Sequence, residues 1–112
     1  MSFRTAQHED LNIISCPDLN SEEIVKVLEM QIKMWQLSPA NIHLFDFKEV
    51  RNIRPEVFRI LTQFNRRLKE NGKVMATINL NKNLENDIVQ KGLKNVFSPV
   101  SHLNEAKKLV KF

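Results

Sequence analysis

Ile42 to Phe47 spell IHLFDF, a nearly continuous apolar run of strand length. Such a run suits the central strand of a sheet that is covered on both faces, where polar alternation is not required. The residues after it narrow the choice further. Pro55 fits the first turn of a helix, because its missing N–H costs nothing there. Val57, Leu61, Phe64 and Leu68 then recur every three to four residues with Ile60 beside them, and Arg59, Gln63, Arg66 and Glu70 take the opposite face. Asn71-Gly72 ends the helix, and KVMATINL from Lys73 to Leu80 is a second apolar strand. A buried strand, a short loop, an amphipathic helix and another strand make a crossover unit, which implies a mainly parallel sheet.

The flanking sequence extends the alternation. Residues 3 to 6 and 11 to 16 are expected to pair as an antiparallel hairpin around the polar turn His8-Glu9-Asp10. Pro17-Asp18 breaks the second strand. A helix comes next, capped by Asn20 or Ser21, with Glu22 and Glu23 favoured in its first turn. Ile24, Val25, Leu28, Ile32 and Trp35 define its buried face, Met30 and Met34 are expected to widen that face, and Ser38-Pro39 ends the helix near Leu37. Asn81 or Asn83 caps a third helix carrying Leu84, Ile88 and Val89, which stops at Lys91-Gly92. Val96-Phe97 is expected as a short strand. Ser101 is expected to cap a last helix with Leu103, Ala106, Leu109 and Val110. The expected fold is α/β: a mixed, mainly parallel sheet of four to five strands, about four helices and an N-terminal antiparallel hairpin, all in one domain spanning 1–112.

Composition limits the chemistry. No apolar run approaches the ~18 residues of a membrane-crossing helix, and MSFRTAQHED lacks the apolar core of a secretory signal, so the expected compartment is the cytoplasm. One cysteine, Cys16, excludes an internal disulfide and a multi-cysteine zinc site, and free cysteine is mostly a small buried hydrophobe. His8, His43 and His102 show no metal-ligand spacing. Both glycines stop helices, which excludes a glycine-rich phosphate loop. The net charge of +4 permits an anionic partner, but the basic residues are dispersed and not interleaved with aromatics, so nucleic acid is not the expected ligand. His43 is expected to be structural, and Asp46 to cap the loop after its strand. No cofactor, metal or catalytic constellation is indicated.

The strand ending in Asp46, the loop near Ile53, the leucine-striped helix and RRLKENGKVMATINLN together resemble the central motif of the STAS domain, the domain of bacterial anti-sigma factor antagonists. Gly92-Leu93, Val96-Phe97 and Ser101 with Glu105-Ala106 resemble that family's C-terminal third. The resemblance covers roughly residues 3 to 112. In regulatory members the corresponding helix opens with an Asp-Ser-Ser/Thr/Ala-Gly run whose first Ser is phosphorylated. Here Arg54 stands at that Asp, Pro55 at the phosphorylated Ser and Val57 at the Gly. Pro55 has no hydroxyl, and residues 39 to 61 contain no Ser, Thr or Tyr.

The resemblance implies a non-catalytic protein–protein interaction module: an anti-sigma factor antagonist-like regulator of bacterial signalling without the usual phosphoacceptor. Arg51, Arg54, Glu56, Phe58 and Arg59 are its candidate partner-binding residues, and Pro55 marks the degenerate phosphosite. Glu56 is either an ordinary first-turn acid or a fixed imitation of phosphoserine. Arg51 and Arg54 are either solvated loop charges or contacts to an acidic surface. Phe58 is either core or docking surface. The resemblance points to an anti-sigma kinase-like partner, or to a transport ATPase if the chain is an accessory subunit of a lipid-trafficking complex. A homo-oligomer is compatible with the sequence. From different classes, a small enzyme would need Cys16, His43 and Asp46 to converge, and an anionic-ligand binder, taking nucleic acid or anionic lipid, would need a continuous basic stripe on the folded surface. Thr62, Ser98 and Ser101 are the remaining candidate acceptors.

Overall fold

The computed structural model describes residues 2–109. Its elements are β1 (Arg4–His8), β2 (Leu11–Ser15), α1 (Glu22–Trp35), β3 (Ile42–Asp46), α2 (Pro55–Glu70), β4 (Val74–Ile78), α3 (Lys82–Gln90), α4 (Lys94–Phe97), β5 (Pro99–Val100) and α5 (Leu103–Lys107). The strands stand in sequence order, β1-β2-β3-β4-β5. β1 pairs with β2 antiparallel, and every other neighbouring pair is parallel. This is the α/β arrangement that the strand and helix alternation implies.

The period of two along each strand divides the core. Ile14, Phe45 and Met75 face the large cluster under α1 and α2, whereas Leu11, Ile42, Leu44 and Ala76 face a smaller one that includes Ala106 of α5. Both faces of β3 are therefore covered, which is why IHLFDF carries no alternation. Trp35 is the hub of an aromatic cluster, edge-on to Phe3 at 5.4 Å and to Phe45 at 5.7 Å, with Phe64 at 6.4 Å. Edge-to-face packing at such distances adds to the burial of the rings.

His43 sits within this layer, fully buried, with its ring edge-on to Phe64 at 5.5 Å. The Asn12 amide donates to His43 Nδ1 at 3.3 Å, and Gln7 donates to Asn12 Oδ1 at 3.3 Å. Burial, reinforced by the nearby Lys73 ammonium, lowers its pKa from 6.5 to about 4. The folded chain thus refuses a proton that the unfolded chain takes up. Stability is expected to fall as pH drops through the window from 6.5 to about 4, by up to ~3 kcal/mol. Denaturant melts across that window should show the slope, and His43→Gln should remove most of it. An equal slope in both proteins would assign the acid sensitivity to carboxylates.

Several local expectations are corrected. Val96-Phe97 is helical, in α4, and the fifth strand is Pro99–Val100. Phe97 is still buried, so its burial came from a helical turn. Ser101 does not cap α5: His102 Nδ1 accepts from Asn104 N at 3.2 Å, while Ser101 N donates to Glu105 Oε2 at 3.4 Å. Met30, Met34 and Val89 are exposed, not part of the core. Ser21 caps α1 through its hydroxyl, and Asn81 caps α3. His8 belongs to β1, which leaves Glu9-Asp10 as the turn. Gly72 and Gly92 take φ of 72° and 70° after α2 and α3, the left-handed conformation expected of helix stops. Val110 lies outside the described residues.

Candidate functional site

The loop between β3 and α2 emerges at the carboxyl end of the central strand, the edge at which open α/β sheets hold their ligands. Asp46 starts it. One carboxylate oxygen, Oδ1, accepts from Lys48 N at 3.0 Å and Asn79 Nδ2 at 2.9 Å, so Asp46 joins this loop to the one after β4. Val50, buried beyond it, accepts through its backbone oxygen from Asn81 Nδ2 at 3.3 Å.

The next stretch is held from the other side by the β2–α1 connection. Asp18 Oδ1 accepts three backbone N–H groups: Leu19 at 3.0 Å, Arg51 at 3.2 Å and Asn52 at 3.2 Å. Ile53 forms a parallel bridge with Leu19, and Arg54 N donates to Leu19 O at 2.9 Å. A charged acceptor makes stronger hydrogen bonds than a neutral one. The loop from Arg51 to Arg54 is therefore fixed by backbone contacts. Sequence reading missed Asp18, taking it only as a strand breaker. Its signal is weak, because two of the three donors it serves, Arg51 and Asn52, lie 33 and 34 residues away.

Helix α2 begins without a side-chain cap, since its N-cap residue is Arg54. Pro55 occupies the first turn, exposed. Arg54 turns its guanidinium onto two carboxylates, Glu56 at 3.3 Å and Glu22 of α1 at 3.8 Å. Its charge is thus answered within the chain. The carboxyl of Glu56 is lowered below the ordinary range by its own backbone N–H, then by Arg54 and Arg59. That is the behaviour of a first-turn acid at a helix N-terminus.

Arg51 and Arg59 are exposed, and neither forms an ion pair among the described residues. Phe58 is different. It is 6% exposed and packs against Phe97 at 5.7 Å, with Lys91 Nζ 5.0 Å over its ring. Phe58 belongs to the core and presents little surface to a partner. Val57 is fully buried. Thr62 spends its hydroxyl on Phe58 O at 2.7 Å. Between the loop and α3 runs a shallow groove of about 320 Å³, lined by Arg51, Asn52, Ile53, Asn83, Asn86 and Gln90 among others.

Of the three residues that a small enzyme would need to converge, Cys16 and Asp46 lie together, with Cys16 N donating to Asp46 O at 3.1 Å, while His43 stands apart under Phe64. Cys16 is buried, and its thiol pKa is raised by burial and by Asp46, so it stays protonated. Asp46 is engaged by Lys48 and Asn79, and His43 lies under Phe64. Cys16 and Asp46 do border an open cleft of about 600 Å³, which also meets Arg4, Asp18, Lys48 and Glu49. Among the described residues, no group of three or more His, Cys, Asp or Glu could hold a metal, and no helix is long and apolar enough to cross a membrane.

The chain matches no protein-family model and no curated protein sequence. It does match solved structures. A putative anti-sigma factor antagonist from Thermotoga maritima superposes with a TM-score of 0.84 at 14% identity, over 96% of this chain and 93% of that one. A STAS domain protein from Planctomyces limnophilus gives 0.82 at 17% identity, over 98% of both chains. An anti-sigma factor antagonist from Mycobacterium paratuberculosis gives 0.81 at 16%, over 97% of this chain and 92% of that one. The chain has the STAS fold.

Proposed function

We propose that this chain is a non-catalytic protein-docking module, an anti-sigma factor antagonist-like regulator that works without a phosphoacceptor serine at the start of α2. The setting that fits such a module is the bacterial cytoplasm, and one domain spanning 1–112 accounts for it. The observation that carries the reading is the fixed loop. Asp18 and Leu19 hold Arg51 to Arg54 by the backbone, while Arg51 and, one turn into α2, Arg59 stay exposed and without an ion pair among the described residues. Exposed arginines on a rigid frame suit recognition of an acidic protein surface, because little freedom is lost on binding. Pro55 and Glu56 make the surface permanent, with no hydroxyl to switch. Glu56, held by Arg54 and its own backbone, serves the helix and does not imitate a phosphate.

Affinity capture with the full chain tests this. The variant Arg51→Glu/Arg59→Glu leaves the internal pairs of Arg54 intact. Its partner recovery is expected to fall at least about tenfold, with an unchanged melting temperature. Glu56→Gln is expected to recover the same partners in the same amounts. Equal recovery by wild type and the double-arginine variant would reject the surface, and loss of recovery in Glu56→Gln would reinstate the mimic. An Arg54→Asp variant is less informative, because it sets a third acid beside Glu22 and Glu56.

A further inference from the structure

The cleft of about 600 Å³ beside Cys16 carries charges of both signs that do not meet. Arg4 and Lys48 border it together with Asp18, Asp46 and Glu49, and among the described residues none of the five forms an ion pair. Strand register orders three of its residues. Arg4 pairs with Ser15, and Ser15 with Asp46. A cation, a hydroxyl and a carboxylate therefore stand in one row across β1, β2 and β3, on one face of the sheet. Two strand spacings separate the ends of the row, ~10 Å between Cα atoms. The carboxylates retain free acceptor oxygens. Asp18 and Asp46 are half-buried, and each takes its internal hydrogen bonds through Oδ1. Neither Oδ2 accepts a hydrogen bond from the described residues.

We propose that this cleft binds a short zwitterionic peptide of dipeptide size, with its ammonium on Asp46 and Asp18 and its carboxylate on Arg4. The charges of the cleft select against simpler ions. Three acids repel a lone anion, and a lone cation leaves Arg4 and Lys48 unanswered. A ligand with separated opposite charges answers both. An extended dipeptide spans about 7 Å, and the reach of the Arg4 side chain covers the rest of the row. The central amide of the ligand then lies over Ser15, whose hydroxyl can donate or accept. The volume falls in the range of small-molecule sites. Ser15 and Asp46 are the last residues of β2 and β3, so the row lies at the strand ends where parallel sheets hold their ligands. None of the residues from Arg51 to Arg59 lines the cleft, which makes this site separate from the proposed docking surface.

Titration of the full chain with alanylalanine, followed by amide NMR, tests the proposal. Saturable shifts are expected at Ser15, Asp18 and Lys48. The free dipeptide should bind at least about tenfold more tightly than its amino-acetylated or its carboxyl-amidated form. Arg4→Gln changes an exposed side chain that forms no ion pair among the described residues, and it should keep the melting temperature. It should bind alanylalanine as weakly as wild type binds the amidated form, and bind the amidated form as wild type does. No saturable shift up to the high millimolar range overturns the site. Blocked forms that bind as tightly as the free dipeptide overturn the zwitterion, and wild-type affinity in Arg4→Gln overturns the placing of its carboxylate.

Discussion

Replacing Phe64 with alanine is expected to destabilise the protein by about 4 kcal/mol. Phe64 is fully buried on α2, edge-on to Phe45 at 6.0 Å and to His43 at 5.5 Å, with Trp35 on its third side. Its neighbours come from α1 and β3, two elements that the sheet holds in place. The space left by the ring cannot close without moving one of them, so the loss of transferred area is compounded by a cavity. Urea unfolding should show a lower midpoint at an unchanged slope. A loss below about 1 kcal/mol would mean that the aromatic layer repacks, contrary to the edge-to-face packing around Phe64.

Asp18→Ala is expected to cost about 2 kcal/mol and, more tellingly, to loosen one loop. A single carboxylate oxygen satisfies the amides of Leu19, Arg51 and Asn52, and no other side chain among the described residues accepts from them. Asp18 is partly exposed, so water offsets part of the loss and keeps the figure below that of a buried charge. Native-state hydrogen exchange should quicken about tenfold or more at Arg51 and Asn52, while the amides of β3 and β4 change little. Asp18→Asn, which keeps an acceptor but loses the charge, should fall between the two. Uniform acceleration across the sheet would show that Asp18 supports the fold as a whole.

Particular residues show what the sequence could disclose and what it could not. The unbroken IHLFDF run and the stripe from Val57 to Leu68 dictated a covered strand and a helix packed on it, and both stand as read. Those signals are periodic and local, so they survive without knowledge of neighbours. Val96-Phe97 was misread because two apolar residues fit a strand or a helical turn equally well, and here the turn wins. Met30 and Met34 were assigned to the core because helical spacing tells which residues share a face but not how wide the covered face is. Phe58 shows the same limit in reverse, since its position at the stripe's edge left open a surface role that Phe97 and Lys91 now occupy. The loop between β3 and α2 was legible in the sequence. Its fastening was not, because Asp18 and Glu22 act on residues more than thirty positions away. Long-range hydrogen bonds leave no period in a sequence.

The central claim is that the fixed loop and the start of α2 form a permanent docking surface for a protein partner. Hydrogen exchange on the complex of the full chain with its captured partner tests it most directly. The account predicts that new protection concentrates between Lys48 and Arg59, with the amides of β1 and α5 unaffected. Protection confined to other elements, with residues 48–59 exchanging as in the free protein, would contradict it.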